Sequence, residues 1–202
     1  MITVVSGLPR SGTSLMMQML TAGGITPLSD GERKPDLDNP RGYLEWERAK
    51  RLPSDPACIR DAEGKVVKVI SHLLLSLPDV HEYRIVFMQR PLPEVLASQD
   101  TMLQRRSFKQ GANAAIISAA FGRHLKEVYR WIDSRPNVRA LPMPYHQVLG
   151  QPQESARAIA HFLEMRLNLD KMVGQVDSSL YRNRGDFAAR PRPKARRAAI
   201  AS

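Results

Sequence analysis

The first twenty residues constrain the fold of this chain more than any other stretch. Ile2 to Val5 is a β-branched run and suits a buried parallel strand, because such strands are apolar on both faces. A turn bracketed by Gly7 and Gly12 follows, and then a segment rich in good helix formers up to Leu20. This order of strand, loop and helix gathers backbone N–H groups and a helix N-terminus around one anionic group. We therefore expect a phosphate-binding loop here.

The loop has the sequence Gly-Leu-Pro-Arg-Ser-Gly-Thr-Ser from Gly7 to Ser14. Its glycine spacing matches the P-loop pattern G-x-x-x-x-G-K-[ST], but Thr13 stands where that pattern has lysine. The lysine normally reaches the β- and γ-phosphates of ATP or GTP, so its replacement argues against an ordinary nucleoside triphosphatase. The loop instead carries a cation at Arg10 and hydroxyl groups at Ser11, Thr13 and Ser14. The alternative is a structural turn that binds no ligand.

Further apolar runs predict that strands and helices alternate along the chain. Residues 65–70, 84–89 and 138–143 have the composition of strands, and residues 94–103 and 112–132 that of helices, with a further helix opening at Gln151. Alternation of this kind produces a parallel sheet covered on both faces. We therefore expect an α/β fold of three layers, in which a P-loop-like central parallel sheet is flanked by helices.

Finer expectations concern the helices. Residues 43–50 should form a short helix supported by a Glu47–Arg51 ion pair, and residues 52–64 should be irregular. The amphipathic pattern of the long helix predicts a set of core residues. They are Ile116, Ala120, Leu125, Val128 and Trp131.

Length and charge predict one domain with a basic tail. The 202 residues carry a formal net charge of +10, and seven Arg or Lys against one Asp lie between Arg182 and Arg197. We expect a single domain over residues 1–186 and a disordered tail over 187–202. With the charge concentrated in the tail, nucleic acid is not an expected partner.

Other features exclude further classes. No apolar run approaches the ~20 residues needed to span a bilayer, and the N-terminus lacks the basic region of a signal peptide. The single cysteine, Cys58, fits a reducing compartment, which predicts a cytoplasmic location. No histidine or cysteine pair has metal-ligand spacing, so we expect no metal.

A second segment points to the same ligand edge. The strand at 84–89 precedes Arg90, and Ser98 follows eight residues later. Ligands of parallel sheets bind beyond the carboxyl ends of the strands, so Arg90 should face the ligand of the Arg10 loop. A Walker-B strand would end in an Asp that holds Mg²⁺, whereas this strand ends in a cation.

These two segments together resemble the sulfotransferase family. Pro9-Arg10-Ser11-Gly12-Thr13-Ser14 is similar to its loop for the 5′-phosphosulfate, and Arg90 with Ser98 is similar to its 3′-phosphate site. The resemblance implies the donor 3′-phosphoadenosine 5′-phosphosulfate (PAPS). It also implies that Lys68, at a strand end, assists the leaving group. Tyr145 begins a segment that resembles the Tyr-Glu-Asp-Leu region of the family. Arg182 and Arg184 loosely resemble a C-terminal loop that contacts the 3′-phosphate.

The general base is not fixed by the sequence. Family members use a His after the second strand, where His72 stands, or a Glu downstream of the loop, where Glu45 lies in a Gly-Tyr-Leu-Glu segment. Intrinsic basicity favours His72, since a free Glu titrates near 4.3 and a His near 6.5. Motif resemblance favours Glu45, which we prefer. Glu32 is a third option, and a purely structural role is open for each.

Three functions compete at this point. The first is a PAPS-dependent sulfotransferase acting on a hydroxyl or amine of a small molecule. The second is a P-loop kinase or hydrolase with a displaced lysine, and the third is a nucleotide-binding module without catalysis. The acceptor cannot be read from the sequence. Because the chain is short for the family, the acceptor pocket could be shallow or completed by a second subunit in a homo-oligomer.

Overall fold

Four parallel strands form the centre of the fold. The computed structural model describes residues 1–34, 36, 42–105 and 114–177. The strands are β1 (Ile2–Gly7), β2 (Val66–Lys68), β3 (Tyr83–Gln89) and β4 (Val138–Pro144). Their order in the sheet is β2-β1-β3-β4, and every neighbouring pair is parallel. The predicted α/β architecture with a central parallel sheet is confirmed.

Helices connect the strands and cover both faces of the sheet. Seven α-helices are described, together with two 3₁₀ helices at Glu47–Arg51 and Pro56–Ala62. The α-helices are α1 (Thr13–Ala22), α2 (Ser71–Leu74), α3 (Leu92–Arg105), α4 (Ala114–Asp133), α5 (Tyr145–Gly150), α6 (Pro152–Leu163) and α7 (Leu169–Val173).

The sheet separates two apolar layers. Val4 and Ile85 point to the layer that contains Val128 of α4, whereas Val5 and Val86 point to the layer that contains Met16 of α1. Successive side chains of a strand point to opposite faces, so each strand supplies both layers. This burial explains why β1 and β3, which occupy the interior of the sheet, are apolar on both faces.

Three local expectations were wrong. Residues 42–46 form no helix, and the 3₁₀ helix begins only at Glu47, whose side chain pairs with Lys50 rather than Arg51. Part of the stretch expected to be irregular is the 3₁₀ helix Pro56–Ala62. A 3₁₀ turn places positions i and i+3 on one side, which favours the pair with Lys50.

The core of α4 is also shorter than its pattern predicts. Val128 is buried and Leu125 and Trp131 pack against the core, but Ile116 is 66% exposed and Ala120 is exposed as well. The first turns of α4 therefore do not place these two side chains in the core, and periodicity alone does not reveal where the neighbouring layer ends.

The parallel sheet brings three chain segments to one edge. The carboxyl end of β1 leads into the loop, that of β2 is Lys68, and that of β3 is followed by Arg90. Residues that are 54 to 88 positions apart in the sequence thus meet at this edge.

Candidate functional site

The loop between β1 and α1 adopts backbone conformations that require glycine. Gly7 has φ 146° and Gly12 has φ 99°, in the region that other residues rarely adopt. At Gly12 space is also lacking, because a Cβ atom would lie 2.4 Å from Cδ2 of Tyr145. Arg10 has φ 67°, an uncommon conformation for a residue with a side chain. The loop is therefore a tightly turned cradle.

The loop presents uncompensated hydrogen-bond donors. No side chain caps α1 at Gly12, and no acidic residue lies in its first turn. The N–H groups of that turn and the positive end of the helix dipole are thus available to an anion. Within the part of the chain that the structure describes, the buried Oγ of Ser11 has no hydrogen-bond partner. These features fit a phosphate group in the cradle.

The two segments that the sequence analysis assigned to the 5′-phosphosulfate and the 3′-phosphate are in contact through Arg10, Ser98 and Arg90. Arg10 donates from Nε to Oγ of Ser98 on α3 at 3.0 Å, and Arg90 donates from Nη1 to the backbone oxygen of Arg10 at 3.1 Å. Ser98 is only 4% exposed. The end of β3 therefore holds the loop of β1 in place.

Glu94 is a member of this group that the sequence analysis missed. Its carboxylate accepts from Nε of Arg90 at 3.0 Å, and both side chains are buried. Arg90 lies two residues before α3 begins at Leu92, so helical spacing did not reveal the pair. On its other side, the Arg90 guanidinium lies 4.9 Å from the centre of the Tyr145 ring. Burial raises the pKa of Tyr145, so its hydroxyl stays neutral.

Lys68 connects the end of β2 to the start of α1. Its ammonium group donates to Oγ of Ser14 at 3.1 Å and to Oε1 of Glu45 at 2.9 Å. Lys68 is 8% exposed. The predicted leaving-group cation and one of the predicted bases therefore form an ion pair next to the loop. Leu44, which precedes Glu45, has φ 48°, and a left-handed residue at this position turns the chain sharply before the carboxylate.

Arg33 is a second cation on Glu45 that the sequence did not predict. Its Nη1 lies 2.9 Å and 3.2 Å from the two carboxylate oxygens. The guanidinium also covers the ring of Tyr43 at 3.4 Å from the ring centre, and the Tyr43 hydroxyl donates to Asp36. Arg33 lies in an irregular connection without periodicity, so no sequence pattern could have paired it with Glu45.

The charges of this cluster shift its pKa values. Burial tends to raise the pKa of Glu45, but Lys68 and Arg33 outweigh burial and hold that pKa below its ordinary value. Burial lowers the pKa of Lys68, and the positive charges of Arg33 and Arg10 act in the same direction against Glu45. A buried ammonium group beside other cations is a favourable place for a further anion.

The other two candidate bases are placed differently. His72 is exposed on α2, and its ring stacks on His124 of α4 with 3.8 Å between ring centres. His124 in turn contacts Oγ of Ser71 at 2.9 Å. Glu32 is exposed in the connection after α1. No hydrogen bond joins His72 or Glu32 to the loop within the described ranges.

A cleft of about 350 Å³ opens beside the loop. Leu8, Phe87, Leu125 and Pro144 give it a largely apolar lining. Its polar contribution includes Gln89, which donates to the Tyr129 hydroxyl at 2.7 Å. The cleft can hold an uncharged, mainly apolar group next to the anion cradle.

The remaining predictions concern the C-terminal segment, metal binding and membrane spans. Arg182, Arg184 and the tail at 187–202 lie outside the described residues. Among the residues that are described, no three His, Cys, Asp or Glu side chains gather as a metal site. None of the helices in those ranges is long and apolar enough to cross a membrane.

Sequence comparisons give no relatives. No protein-family model matches the sequence, and no curated protein sequence matches it.

Solved structures with a similar fold include several sulfotransferases. The sulfotransferase domain of the Synechococcus PCC 7002 olefin synthase superposes with a TM-score of 0.56 and 14% identity, over 92% of this chain and 80% of that one. Sulfotransferase STF1 from Mycobacterium tuberculosis H37Rv gives 0.55 and 17%, over 86% and 70%. The sulfotransferase domain from the curacin biosynthetic pathway gives 0.51 and 13%, over 87% and 77%. Taken with its parallel sheet and its anion cradle, this chain has the fold of the sulfotransferases.

Proposed function

We propose that this chain is a sulfotransferase that moves a sulfuryl group from PAPS to a hydroxyl or amine of a small-molecule acceptor in the cytoplasm. One observation carries the proposal: the loop after β1 and the end of β3 are in direct contact through Arg10, Ser98 and Arg90. A ligand with two separate anionic groups needs two neighbouring cationic sites. The fold shared with sulfotransferases supports this assignment.

The two sites divide the donor between them. The uncapped first turn of α1 and the loop amides suit the 5′-phosphosulfate, with Pro9, Arg10, Gly12, Thr13 and Ser14 forming the cradle. Arg90 and Ser98 suit the 3′-phosphate, and Arg182 and Arg184 are proposed to complete that side. A guanidinium group is well matched to phosphate oxygens. Because Arg90 already pairs with Glu94, the phosphate would share its guanidinium with that carboxylate.

The chemical step would be an in-line transfer. The acceptor oxygen bonds to sulfur while the bond from sulfur to the 5′-phosphate oxygen breaks, and the acceptor proton moves to a base. The protein mainly positions the groups and stabilises the charge that develops on the leaving phosphate. Lys68 and Arg10 are the cations placed for that role, because Lys68 contacts Ser14 at the start of α1 and Arg10 belongs to the loop.

We assign the base to Glu45. Its carboxylate reaches Lys68, which reaches Ser14, so the base is one residue away from the cradle. His72 instead stacks on His124 at an exposed position. The lowered pKa of Glu45 opposes a basic role as long as Lys68 remains its partner.

Calorimetry with adenosine 3′,5′-bisphosphate, the donor product, tests the donor site. We expect tight binding without Mg²⁺, and weaker binding of adenosine 5′-diphosphate, which lacks the 3′-phosphate. A charge-assisted hydrogen bond contributes about 1.5–3 kcal/mol. Loss of Arg90 should therefore raise Kd by about 10- to 100-fold. Undiminished binding without Arg90 would refute the assignment.

The variant that removes Arg90 should not leave a buried charge without a partner. Arg90→Gln alone leaves Glu94 buried and unpaired, so it should be combined with Glu94→Gln. Arg139→Gln is a matched control, since Arg139 is an exposed cation near the start of β4, at the opposite edge of the sheet. The control should bind the bisphosphate like the wild type.

Transfer itself is tested with sulfur-labelled donor and a metabolite extract. We expect a labelled product that Glu45→Gln abolishes and His72→Ala does not, with bisphosphate binding retained in both. Bisphosphate binding without transfer to any acceptor would favour a non-catalytic module. Mg²⁺-dependent turnover of ATP would instead favour a kinase or hydrolase.

A further inference from the structure

The ammonium group of Lys68 already faces three oxygen atoms of the protein. Its contacts are Oγ of Ser14 at 3.1 Å, Oε1 of Glu45 at 2.9 Å and the backbone oxygen of Tyr43 at 3.5 Å. A lysine has three N–H donors and no acceptor. If the donor is to reach Lys68, as the proposed function requires, it must therefore compete with these partners.

Glu45 is the partner that an arriving anion would displace. The hydroxyl of Ser14 can continue to accept from Lys68 while it turns its own proton to the ligand. The Tyr43 oxygen is a neutral backbone group. Glu45 alone carries a negative charge, and two anions repel each other strongly when they share a largely buried cation.

Arg33 provides Glu45 with a second partner. The guanidinium contacts both carboxylate oxygens, so the pair survives when Lys68 withdraws. Arg33 is itself held flat against Tyr43 at 3.4 Å from the ring centre, and Tyr43 is 4% exposed. The carboxylate therefore keeps a fixed neighbour on the side away from the loop.

We propose that Glu45 is a resident counter-ion of the donor site and that Arg33 is the positioning residue that retains it when the donor takes Lys68. This inference rests on the proposed sulfotransferase function. It makes the acceptance of a proton depend on donor binding, since Glu45 loses one of its two cations only when the donor is in place.

The charges around Glu45 support this exchange. Lys68 at the end of β2 and Arg33 in the segment after α1 both contact its carboxylate. Tyr43 lies against Arg33 and donates to Asp36. Arg10 of the loop acts on the charge of Lys68. Lys68 and Arg33 together lower the pKa of Glu45 against the effect of burial. Withdrawal of Lys68 leaves burial opposed by Arg33 alone, so the pKa of Glu45 rises and the carboxylate becomes a stronger base.

A mutant cycle in adenosine 3′,5′-bisphosphate affinity tests the proposal without an acceptor. Glu45→Gln removes the competing anion and should tighten binding by about 5-fold or more. Arg33→Gln leaves Glu45 dependent on Lys68 and should weaken binding by a similar factor. The double variant should bind like Glu45→Gln to within about 2-fold, because Arg33 acts only through Glu45.

Each alternative gives a different result. If Arg33 contacted the donor directly, Arg33→Gln would weaken binding equally with and without Glu45, which would overturn the proposal. Equal affinities for all four proteins would overturn it as well. Glu47→Gln is the control for a general charge effect, since Glu47 lies two residues away and pairs with Lys50. It should leave Kd within about 2-fold of the wild type.

Proton uptake supplies a second measurement. A rise in the pKa of Glu45 means that bisphosphate binding takes up protons at acidic pH. Calorimetry in two buffers with different ionisation enthalpies measures this uptake. Glu45→Gln should take up fewer protons than the wild type, since the phosphates of the ligand titrate in both proteins. Tight, Arg90-dependent binding with equal uptake in the two proteins would overturn the inference and leave the proposed function standing. Absence of binding would overturn the proposed function itself.

Discussion

The Nε atom of Arg10 lies 3.0 Å from the Oγ of Ser98, although the two residues are 88 positions apart in the chain. The contact fixes the side chain of a loop residue against α3 before any ligand is present. Ser98 orients Arg10, and in the proposed donor site it would also contact a phosphate beside Arg90.

Removal of the Ser98 hydroxyl should therefore weaken donor binding. We expect Ser98→Ala to raise the Kd for adenosine 3′,5′-bisphosphate by about 10-fold, the equivalent of one hydrogen bond to a charged group. Titration calorimetry measures the change. Thr101→Ala, whose hydroxyl bonds only to the backbone of Ala97 on the same helix, should have no effect. Equal losses in the two variants would mean that the helix, not the hydroxyl, is responsible.

Gly12→Ala should damage the loop more than a glycine substitution elsewhere. A left-handed conformation costs a residue with a side chain about 1–2 kcal/mol, and at Gly12 the new Cβ would also meet Tyr145 at 2.4 Å. Gly64 has φ 70° but no atom within 4 Å of the corresponding Cβ position, so Gly64→Ala isolates the backbone cost. Denaturant unfolding should show a larger loss for Gly12→Ala, and the two losses should become similar when Tyr145→Ala is added to both.

Lys68 and Glu45 should be energetically coupled. Lys68→Met removes the buried ammonium group and leaves Glu45 with Arg33 only, while Glu45→Gln leaves the ammonium group without its counter-ion. A group that loses a buried partner retains its desolvation penalty. The double variant should therefore be less destabilised than the sum of the single variants by about 0.5–3 kcal/mol. Additive losses of unfolding free energy would show that the pair contributes no coupling.

Acid should weaken the contact between α2 and α4. Burial, and then the neighbouring His72, lower the pKa of His124 below its ordinary value of 6.5. The unfolded chain then binds a proton more readily than the folded chain, so this stability is present above about pH 6.5 and is lost as the pH falls through the folded pKa.

Melting curves between about pH 7.5 and about pH 5, on either side of the ordinary His value, test this expectation. On acidification, the Tm of the wild type should fall further than the Tm of His124→Gln, because the Gln amide does not titrate. His161→Gln is the control, since His161 is exposed on α6. If His124→Gln and the wild type lose the same Tm, protonation of His124 does not destabilise the fold.

The strand ends explain why part of the site was predictable. Repeated alternation of strands and helices predicts a parallel sheet, and a parallel sheet brings the loop after β1, Lys68 and Arg90 to one edge. These residues could be predicted because local sequence patterns identify the strands and the topology of a parallel sheet places the ends of the strands together. The pair of Arg90 and Glu94 does not follow from this rule, because Arg90 precedes the first residue of α3, Leu92.

Contacts between irregular segments were not predictable. Arg33 and Glu45 both lie in irregular segments, and Leu44 turns the chain before Glu45 in a left-handed conformation. Neither feature has a periodic signature. The exposure of Ile116 was not predictable either. A helix pattern shows which face is apolar, but it does not show where the neighbouring layer stops.

Tyr145, which follows β4, packs over Gly12, so the loop is held in its turned conformation. A segment that is already ordered has little conformational entropy left to lose on binding. Shortening Tyr145 would let the empty loop sample more conformations, and the affinity lost would then appear in the entropy of binding and not in its enthalpy. The aromatic ring would in this way contribute to the affinity of the loop for its ligand without contacting the ligand itself.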